Sequence, residues 1–323
     1  MPEVIVFVVS LAATIRGADW IGRSAIVLAK RFGVSHLVIG ATVVSVATTL
    51  PELTVAATSS FLNKDPQIAL GVVLGSPLSN IGFILGLFLI FSQHRPQFGY
   101  FSRSVNLMIV VSLLLLVVAI NRDIGDIISL LLITLGILYL ALEYLIGQKV
   151  PTLLEKIESR FDSAISLFSI FKQEKKSIYL EFFFGAVFLT AGSKYLVDTS
   201  ISLANLMHVS EFFISITLLA IGTSLPELFT TINSIIYKRA SLSVGNLVGS
   251  SVIDLTIGVG LATVLHSGGI SYQNSLFIFS ALILIGSFSL LSLWKRIPIA
   301  FVGSLLFGTA LFFFILFGLY NIL

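Results

Sequence analysis

The chain has 323 residues, of which 56% are hydrophobic and only 11% are charged, and its mean hydropathy is +1.04. Soluble globular chains carry roughly 25% charged residues, so this composition excludes an ordinary soluble domain and is typical of a chain surrounded mostly by lipid. The sequence contains no cysteine, which excludes disulfides, iron–sulfur clusters and thiolate metal sites. The formal charge of +3 comes from basic residues in the predicted loops, and it does not indicate a nucleic-acid partner.

Ten segments of the sequence are long and apolar enough to cross a bilayer, which takes about 20 mostly apolar residues in a helix. Their predicted bounds are 3–29, 36–62, 66–92, 104–120, 125–147, 178–206, 210–237, 241–265, 274–294 and 298–321. We therefore expect an all-α polytopic membrane protein. The one long polar connection, 148–177, is either an amphipathic helix on the membrane surface or a solvated linker.

The distribution of lysine and arginine predicts the orientation of these spans, because loops rich in basic residues stay on the cytoplasmic side. Fourteen of the 19 basic residues fall in alternate loops that begin after the first span, and only Lys64 and Arg122 fall in the opposite set. Both termini are therefore predicted to lie outside, with the 148–177 loop in the cytoplasm. The predicted location is the plasma (inner) membrane of a prokaryote.

The two halves of the sequence resemble one another. The stretch 40–53, GATVVSVATTLPEL, aligns with the stretch 215–228, SITLLAIGTSLPEL, at an offset of 175 residues. Further along the chain the offset is 174, and four residues of the third span match four of the eighth: Gly71, Gly75, Ser76 and Asn80 match Gly245, Gly249, Ser250 and Asp254. The shared residues are mostly polar or small, so they indicate a true internal repeat.

The repeat unit contains five spans, an odd number, so the second copy is expected to enter the membrane from the opposite side. Inverted repeats of this kind place transport sites near the middle of the bilayer, where discontinuous helices meet. The predicted domains are a first five-helix repeat over 1–147, the linker 148–177, and a second, inverted five-helix repeat over 178–323.

Two glutamates, Glu52 and Glu227, lie near the middles of the second and seventh spans. A charge at that depth costs about 2.5–3.5 kcal/mol on insertion scales, so acids there are rare and are functional by default. A proline precedes each glutamate, and its missing N–H leaves a helix carbonyl without its donor. The structural alternative is that these acids pair with a basic residue within a span, namely Arg16, Arg23 or Lys194.

Other oxygen-bearing side chains surround the two glutamates in the sequence. Asn80 and Asp254 each lie four residues after a serine, Ser76 or Ser250, and share a helix face with it. Hydroxyls beside the glutamates come from Thr48, Thr49, Thr223 and Ser224. Calcium takes about six to eight oxygen ligands, whereas zinc and copper favour imidazole or thiolate, and all four histidines lie at or beyond span ends. The pattern predicts a pocket for hard cations, either one divalent ion such as calcium or several monovalent ions.

The hexapeptides GTSLPE at 222–227 and GNLVGS at 245–250 resemble the signature of the calcium/cation antiporter superfamily, the sodium/calcium exchangers and their prokaryotic relatives. The likeness covers nearly the whole chain. It implies an antiporter rather than an enzyme, which exchanges sodium for calcium by alternating access. It also implies that spans one and six slide across the other eight. No cofactor and no obligate protein partner is expected beyond the transported ions and the bilayer.

The resemblance further implies the ion ligands. Residues matching Glu52, Asn80, Glu227 and Asp254 are central to the ion sites of the family. Eight more complete the sodium and calcium sites: the side chains of Thr48, Thr49, Ser76, Thr223, Ser224 and Ser250, and the carbonyls of Ser45 and Ala220. The first half departs from the family pattern, with Ala47-Thr48-Thr49 for the usual Gly-Thr-Ser, Val72 for the usual Asn, and Pro77 where Asn is common.

Three other functions are alternatives to sodium/calcium exchange. A cation/proton antiporter of the same superfamily is the nearest, because intramembrane acids carry protons as readily as metal ions. The proton-coupled relatives more often lack the proline before the glutamate, so its presence in both halves favours sodium coupling. An intramembrane protease would use two carboxylates that share a proton, and the amide and hydroxyl neighbours suit coordination better. A passive channel is not suggested by an inverted pair of broken helices.

Overall fold

The computed structural model describes residues 2–31, 44–63, 65–91, 96, 102–121, 125–147, 178–236, 240–264, 281–283, 285–287, 289–290 and 297–322. Within these ranges, eight stretches are long and apolar enough to span a membrane: Pro2–Ala25, Pro66–Phe91, Ser102–Ile120, Asp126–Leu145, Ile178–Met207, Glu211–Ile232, Val244–Val264 and Ile299–Leu319. They correspond to eight of the ten predicted spans. The predicted span 274–294, the start of span 36–62 and the 148–177 connection lie largely or wholly outside the described residues.

The first half of the chain is a series of helices, two of which continue into wider π-helical turns. In chain order they are α1 (Pro2–Arg31), α2 (Val44–Thr58), π1 (Ser59–Asn63), α3 (Pro66–Leu78), π2 (Ser79–Ile84), α4 (Leu85–Phe91), α5 (Ser102–Asn121) and α6 (Asp126–Gly147). The segments α3, π2 and α4 follow one another without interruption and together form the third span.

The second half has a similar order of elements. It contains α7 (Ile178–Met207), α8 (Glu211–Ile214), π3 (Ser215–Leu219), α9 (Ala220–Thr223), α10 (Leu225–Ile236), α11 (Ala240–Ile253), π4 (Asp254–Gly258), α12 (Val259–Val264) and α13 (Ile299–Ile322). The π2 and π4 turns occupy equivalent places in the two halves. No feature of the sequence indicates these π turns, which are frequently found at functional sites.

Local sequence signals fix where several helices begin and end. The Asp65 carboxylate accepts hydrogen bonds from the backbone N–H groups of Gln67 and Ile68, and Pro66 occupies the first position of α3. Ser210 caps α8 in the same way by accepting from the N–H of Phe213. Helix α7 ends at Met207, where His208 adopts a left-handed conformation with φ 54°.

The π1 turn lies in the interval where the register between the two halves changes. The first half has one residue more than the second between the LPEL motif and the following glycines, where the offset falls from 175 to 174. A π-helical turn holds about one residue more than an α-helical turn. The π1 turn, Ser59–Asn63, is therefore a place within the helix that can hold the extra residue.

Small residues bring helices of the two halves into close contact. Helix α3 is buried along most of its length, and its Gly71 and Gly75 face π3 and α9 of the second half. A Cβ added to Gly75 would lie only 2.7 Å from the Ala220 Cβ and 2.8 Å from the Ile216 carbonyl oxygen. Side chains of this size allow backbones to approach closely, as is common between helices in membranes.

The long helices α1 and α7 lie against each other through equivalent glycines. Gly17 of α1 contacts the backbone at Leu189, and a Cβ added to Gly192 of α7 would lie 2.7 Å from the Thr14 hydroxyl. Trp20 and Phe188 meet edge to face at 5.2 Å between ring centroids. These two helices are the ones that the family resemblance identifies as the sliding pair.

Candidate cation-binding site

All twelve predicted site residues are buried in the structure. They are Ser45, Thr48, Thr49, Glu52, Ser76, Asn80, Ala220, Thr223, Ser224, Glu227, Ser250 and Asp254. They come from α2, α3 and π2 in the first half and from α9, α10, α11, π4 and the break between α9 and α10 in the second.

Three carboxylates form the charged part of this site. The Glu227 and Asp254 carboxylates both interact electrostatically with Glu52, and all three side chains are fully removed from solvent. An isolated carboxylate in such surroundings is strongly unfavourable unless opposite charge compensates it. The structure therefore brings together acids from both halves, as the sequence predicts.

A hydrogen-bond network connects the two halves across the site. The Ser224 hydroxyl donates to Oε1 of Glu52 at 3.5 Å and to Oγ of Ser76 at 3.2 Å. The Asn80 amide donates to Oγ of Ser76 at 3.4 Å and to Oγ of Ser250 at 3.2 Å. The predicted hydroxyl ligands of the two halves are therefore neighbours in space.

Six oxygen atoms of this pocket are buried without a hydrogen-bond partner among the described residues. They are Oε2 of Glu52, Oδ1 of Asn80, both carboxylate oxygens of Glu227 and both carboxylate oxygens of Asp254. Buried polar atoms are normally satisfied, because a missing partner costs free energy. Six oxygens are about the number that a hard cation requires, and these have the chemistry that such a cation prefers.

The threonine hydroxyls of the pocket donate to backbone carbonyls. Thr48 and Thr49 both donate to the Ser45 carbonyl, at 3.2 and 2.5 Å, and Thr223 donates to the Ala220 carbonyl at 3.2 Å. A hydroxyl that donates its proton keeps oxygen lone pairs for another partner. These bonds therefore leave the three hydroxyl oxygens able to coordinate a cation.

The two proline–glutamate motifs differ in backbone conformation. In the second half, α9 ends at Thr223 and α10 begins at Leu225, with Ser224 between them at φ −79° and ψ 5°. In the first half, α2 continues through Pro51 without a break. The discontinuity expected in both halves is thus present in only one of them.

Arg16 and Arg23 of α1 do not neutralise the pocket. Arg16 and Arg23 both donate to Oδ2 of Asp19, which lies on the same helix, with the Arg16 contact at 3.0 Å. Lys194 of α7 is exposed. The alternative in which Glu52 or Glu227 is paired with Arg16 or Arg23 is therefore not what the structure shows.

One polar residue beside the pocket was missed by the sequence analysis. Asn246 of α11 is buried, and its Oδ1 accepts a hydrogen bond from the Ser45 hydroxyl of α2 at 3.1 Å. Its place in the GNLVGS stretch was the available signal, but nothing in the sequence indicated that its side chain meets Ser45.

The pocket contains more neutral oxygens than carboxylate oxygens. Among the described residues, no three histidine, cysteine, aspartate or glutamate side chains form a compact metal-ligating group. Most of the assembled oxygens are instead amide, hydroxyl or carbonyl oxygens, with carboxylates distributed around them.

A buried pocket of acidic and neutral oxygens, formed by both halves of an α-helical membrane protein, has the chemistry expected of a cation transporter. The model of the sodium/calcium exchanger protein family matches residues 3–145 and 177–323, and the chain belongs to that family. It is an integral membrane protein of the exchanger type, in the calcium/cation antiporter superfamily. The resemblance of the sequence to the calcium/cation antiporter superfamily is therefore confirmed.

Similar proteins from other organisms match over most of their length. The chain is 27% identical over 295 residues to the inner membrane protein YrbG of Escherichia coli, a match that covers 90% of this chain and 88% of that protein. It is 26% identical over 306 residues to the sodium/calcium exchanger MaX1 of Methanosarcina acetivorans, covering 84% and 86% of the two chains. The solved structure of the sodium-calcium exchanger NCX_Mj shares the fold, with a TM-score of 0.64, 23% identity, and coverage of 96% and 97%.

Proposed function

We propose that this protein exchanges sodium for calcium by alternating access at a pocket near the middle of the membrane. The observation that carries the proposal is the set of six buried oxygens without hydrogen-bond partners, contributed by Glu52, Asn80, Glu227 and Asp254. In this proposal all twelve buried residues of the pocket serve the transported ions, the acids through charge and the others through neutral oxygens.

The charge of the pocket suits alternating occupancy by the two ions. Three carboxylates supply up to three negative charges, which match one calcium ion or several sodium ions but not both sets at once. Because a charged site in a dehydrated interior is strongly unfavourable when uncompensated, the pocket favours either loaded state over an empty one. That preference is the physical basis of exchange, since one ion leaves only when the other replaces it.

Helix α1 contacts residues that lie beside the pocket, so a movement of α1 can be coupled to ion binding. A Cβ added to Gly222, at the start of GTSLPE, would lie 2.8 Å from the Leu11 side chain of α1. A Cβ added to Gly22 of α1 would lie 2.7 Å from Ala47, next to Thr48. We infer that α1 and α7, the first helices of two inverted five-helix repeats in a ten-span protein, slide together across the remaining helices.

The location and orientation follow from the same proposal. The similarity to an inner membrane protein of Escherichia coli supports the inner membrane of a prokaryote. We infer from the loop charges that both termini lie outside and that 148–177 is cytoplasmic.

Calcium uptake into proteoliposomes tests the proposal. Vesicles loaded with sodium chloride and diluted into sodium-free medium should accumulate radiolabelled calcium, and the uptake should persist when an ionophore collapses any pH gradient. Vesicles loaded with choline chloride are the control. Uptake that follows an imposed proton gradient and ignores sodium would instead identify a cation/proton antiporter.

A further inference from the structure

A polar group extends the pocket at the end where α2 and α11 meet α6. The Ser45 hydroxyl bonds the Asn246 amide at 3.1 Å, while the Ser45 carbonyl accepts the Thr48 and Thr49 hydroxyls. Ser45 therefore connects Asn246 to the pocket itself. The proposed exchange function does not account for the Ser45 hydroxyl or for the Asn246 side chain.

Tyr139 of α6 brings a third oxygen to the same place. Its side chain is only 7% exposed, and its hydroxyl lies 3.0 Å from Oγ of Ser104. A Cβ added to Gly249 would lie 3.2 Å from the Tyr139 hydroxyl and 3.2 Å from the Ser45 hydroxyl. The missing side chain of Gly249 thus leaves a small space that two oxygens border.

Asn246 offers a further oxygen to a cation. The residue is 8% exposed, and its Nδ2 has no hydrogen-bond partner among the described residues. A half-turn of the amide exchanges its nitrogen and oxygen at little steric cost, after which Nδ2 donates to Ser45 and Oδ1 is left to accept. An amide oxygen in that position is a suitable ligand for a hard cation.

The equivalent positions in the other half of the chain are all apolar. The 175-residue offset pairs Ser45 with Ala220, and the 174-residue offset pairs Asn246 with Val72. Either offset pairs Tyr139 with a phenylalanine, Phe313 or Phe314. Val72 is buried in a cluster of apolar side chains from α1 and α7, which include Phe7 and Leu196. One end of the pocket therefore carries three side-chain oxygens where the sequence-equivalent positions carry none.

We propose that Ser45, Asn246 and Tyr139 form an additional sodium subsite at this end of the pocket. The inference rests on the proposed sodium-for-calcium exchange, because sodium is the ion that the subsite passes to or from the pocket. All three ligands are neutral, so the subsite offsets the dehydration of a monovalent ion but not that of calcium. In the predicted orientation this end faces the cytoplasm, since α2 and α11 begin on that side.

Equilibrium binding of radiolabelled sodium and calcium to the purified protein in detergent tests the subsite. Tyr139→Phe and Asn246→Val each replace a polar side chain of this end by the apolar side chain found at the sequence-equivalent position in the other half. We expect the apparent sodium affinity to weaken about fivefold to tenfold in each variant, as for the loss of one ligand oxygen. The calcium affinity should stay within about twofold of the wild type. Tyr144→Phe, an exposed tyrosine of the same helix, and Ser112→Ala, a buried serine of α5, are the controls.

A second variant probes the space without removing any hydrogen-bonding group. Gly249→Ala places a methyl group 3.2 Å from both hydroxyls, and sodium binding should again weaken while calcium binding is retained. Gly308→Ala is its control, because no described atom lies within 4 Å of the added methyl group.

The possible results separate the subsite from the exchange function. Unchanged sodium affinity in Tyr139→Phe, Asn246→Val and Gly249→Ala would overturn the subsite and leave the proposed exchange intact. Sodium and calcium affinities that fall in the same proportion would show a structural role and would also overturn it. A wild-type protein that binds no sodium overturns the exchange function and the subsite together.

Discussion

The Ser224 hydroxyl donates to Oε1 of Glu52 at 3.5 Å, although 172 residues separate them in the chain. Ser224 occupies the break between α9 and α10, and Glu52 lies within α2. The same hydroxyl also reaches Ser76, so one residue of the second half contacts two candidate ligands of the first. The pocket therefore exists only when the two halves are assembled.

Replacing either pocket glutamate should abolish exchange. Glu52→Gln and Glu227→Gln keep the side-chain shape but remove one of three carboxylate charges, and an amide coordinates calcium more weakly than a carboxylate. We expect sodium-driven calcium uptake in proteoliposomes to fall to the level of protein-free vesicles, while the purified variants elute at the wild-type position in size-exclusion chromatography.

Glu143→Gln is the matched control for these variants. Glu143 lies near the end of α6, where it forms an ion pair with Arg103, a side chain that is 51% exposed, at 3.1 Å. Surface pairs contribute at most about 1 kcal/mol, so this variant should transport calcium at the wild-type rate. Calcium uptake that persists in both Glu52→Gln and Glu227→Gln would refute the assignment of the pocket.

Asp254→Asn should change ion preference more than it changes expression. The variant lowers the number of pocket carboxylates from three to two, which disfavours a divalent ion relative to a monovalent one. Competition between sodium and calcium in binding assays should therefore shift towards sodium. Asn80→Asp in the same protein restores the charge at the equivalent position of the other half, and it should recover part of the calcium affinity. Reduced expression with an unchanged preference would argue against a ligand role for Asp254.

Two equivalent glycines should respond differently to the same substitution. A Cβ on Gly71 would overlap the Ser215 side chain, so Gly71→Ala should lower stability by about 1–3 kcal/mol through overpacking. No described atom lies within 4 Å of a Cβ on Gly245, and Gly245→Ala should be neutral or stabilising by up to about 1 kcal/mol. Thermal unfolding of the purified variants in detergent measures both effects. Equal melting temperatures would mean that α3 does not contact π3 as closely as the structure shows.

Asp19→Asn should reduce stability without changing ion preference. The Asp19 carboxylate neutralises both Arg16 and Arg23 on α1, and its loss leaves two cations facing each other in a partly buried place. We expect a loss of about 1–3 kcal/mol, less than for a fully buried pair because Arg16 is 24% exposed. Thermal unfolding and sodium–calcium competition should be measured together. Asp19→Glu, which keeps the charge, should retain most of the stability, and a shift in ion preference would place Asp19 in the transport path.

The sequence predicted the chemistry of the pocket better than its geometry. Glu52 and Glu227 could be identified because a carboxylate within a membrane span is energetically costly and therefore rare. The internal repeat also aligns the two motifs that contain them. Asn80 and Asp254 follow from the same alignment. Because these signals consist of residue types and their spacing along the chain, one sequence was enough to identify the residues that the structure brings together.

Features that depend on contact between distant segments were not predictable in this way. The π2 turn has the sequence SNIGFI, and these residue types do not distinguish a π-helical turn from an α-helical one. Asn246 and Tyr139 come near Ser45 only because α2, α6 and α11 pack together. The pairing of Arg16 and Arg23 with Asp19 could have been predicted from the sequence, since the two arginines lie three and four positions from Asp19 on one helix face.

The stoichiometry of calcium binding tests most directly whether the two halves form one shared pocket. Equilibrium binding of radiolabelled calcium should be measured on purified wild-type protein, Glu52→Gln and Glu227→Gln in sodium-free buffer. A shared pocket predicts that each single substitution removes high-affinity calcium binding entirely. Two variants that each keep half of the wild-type sites at unchanged affinity would show that each half binds calcium on its own, and would contradict the account.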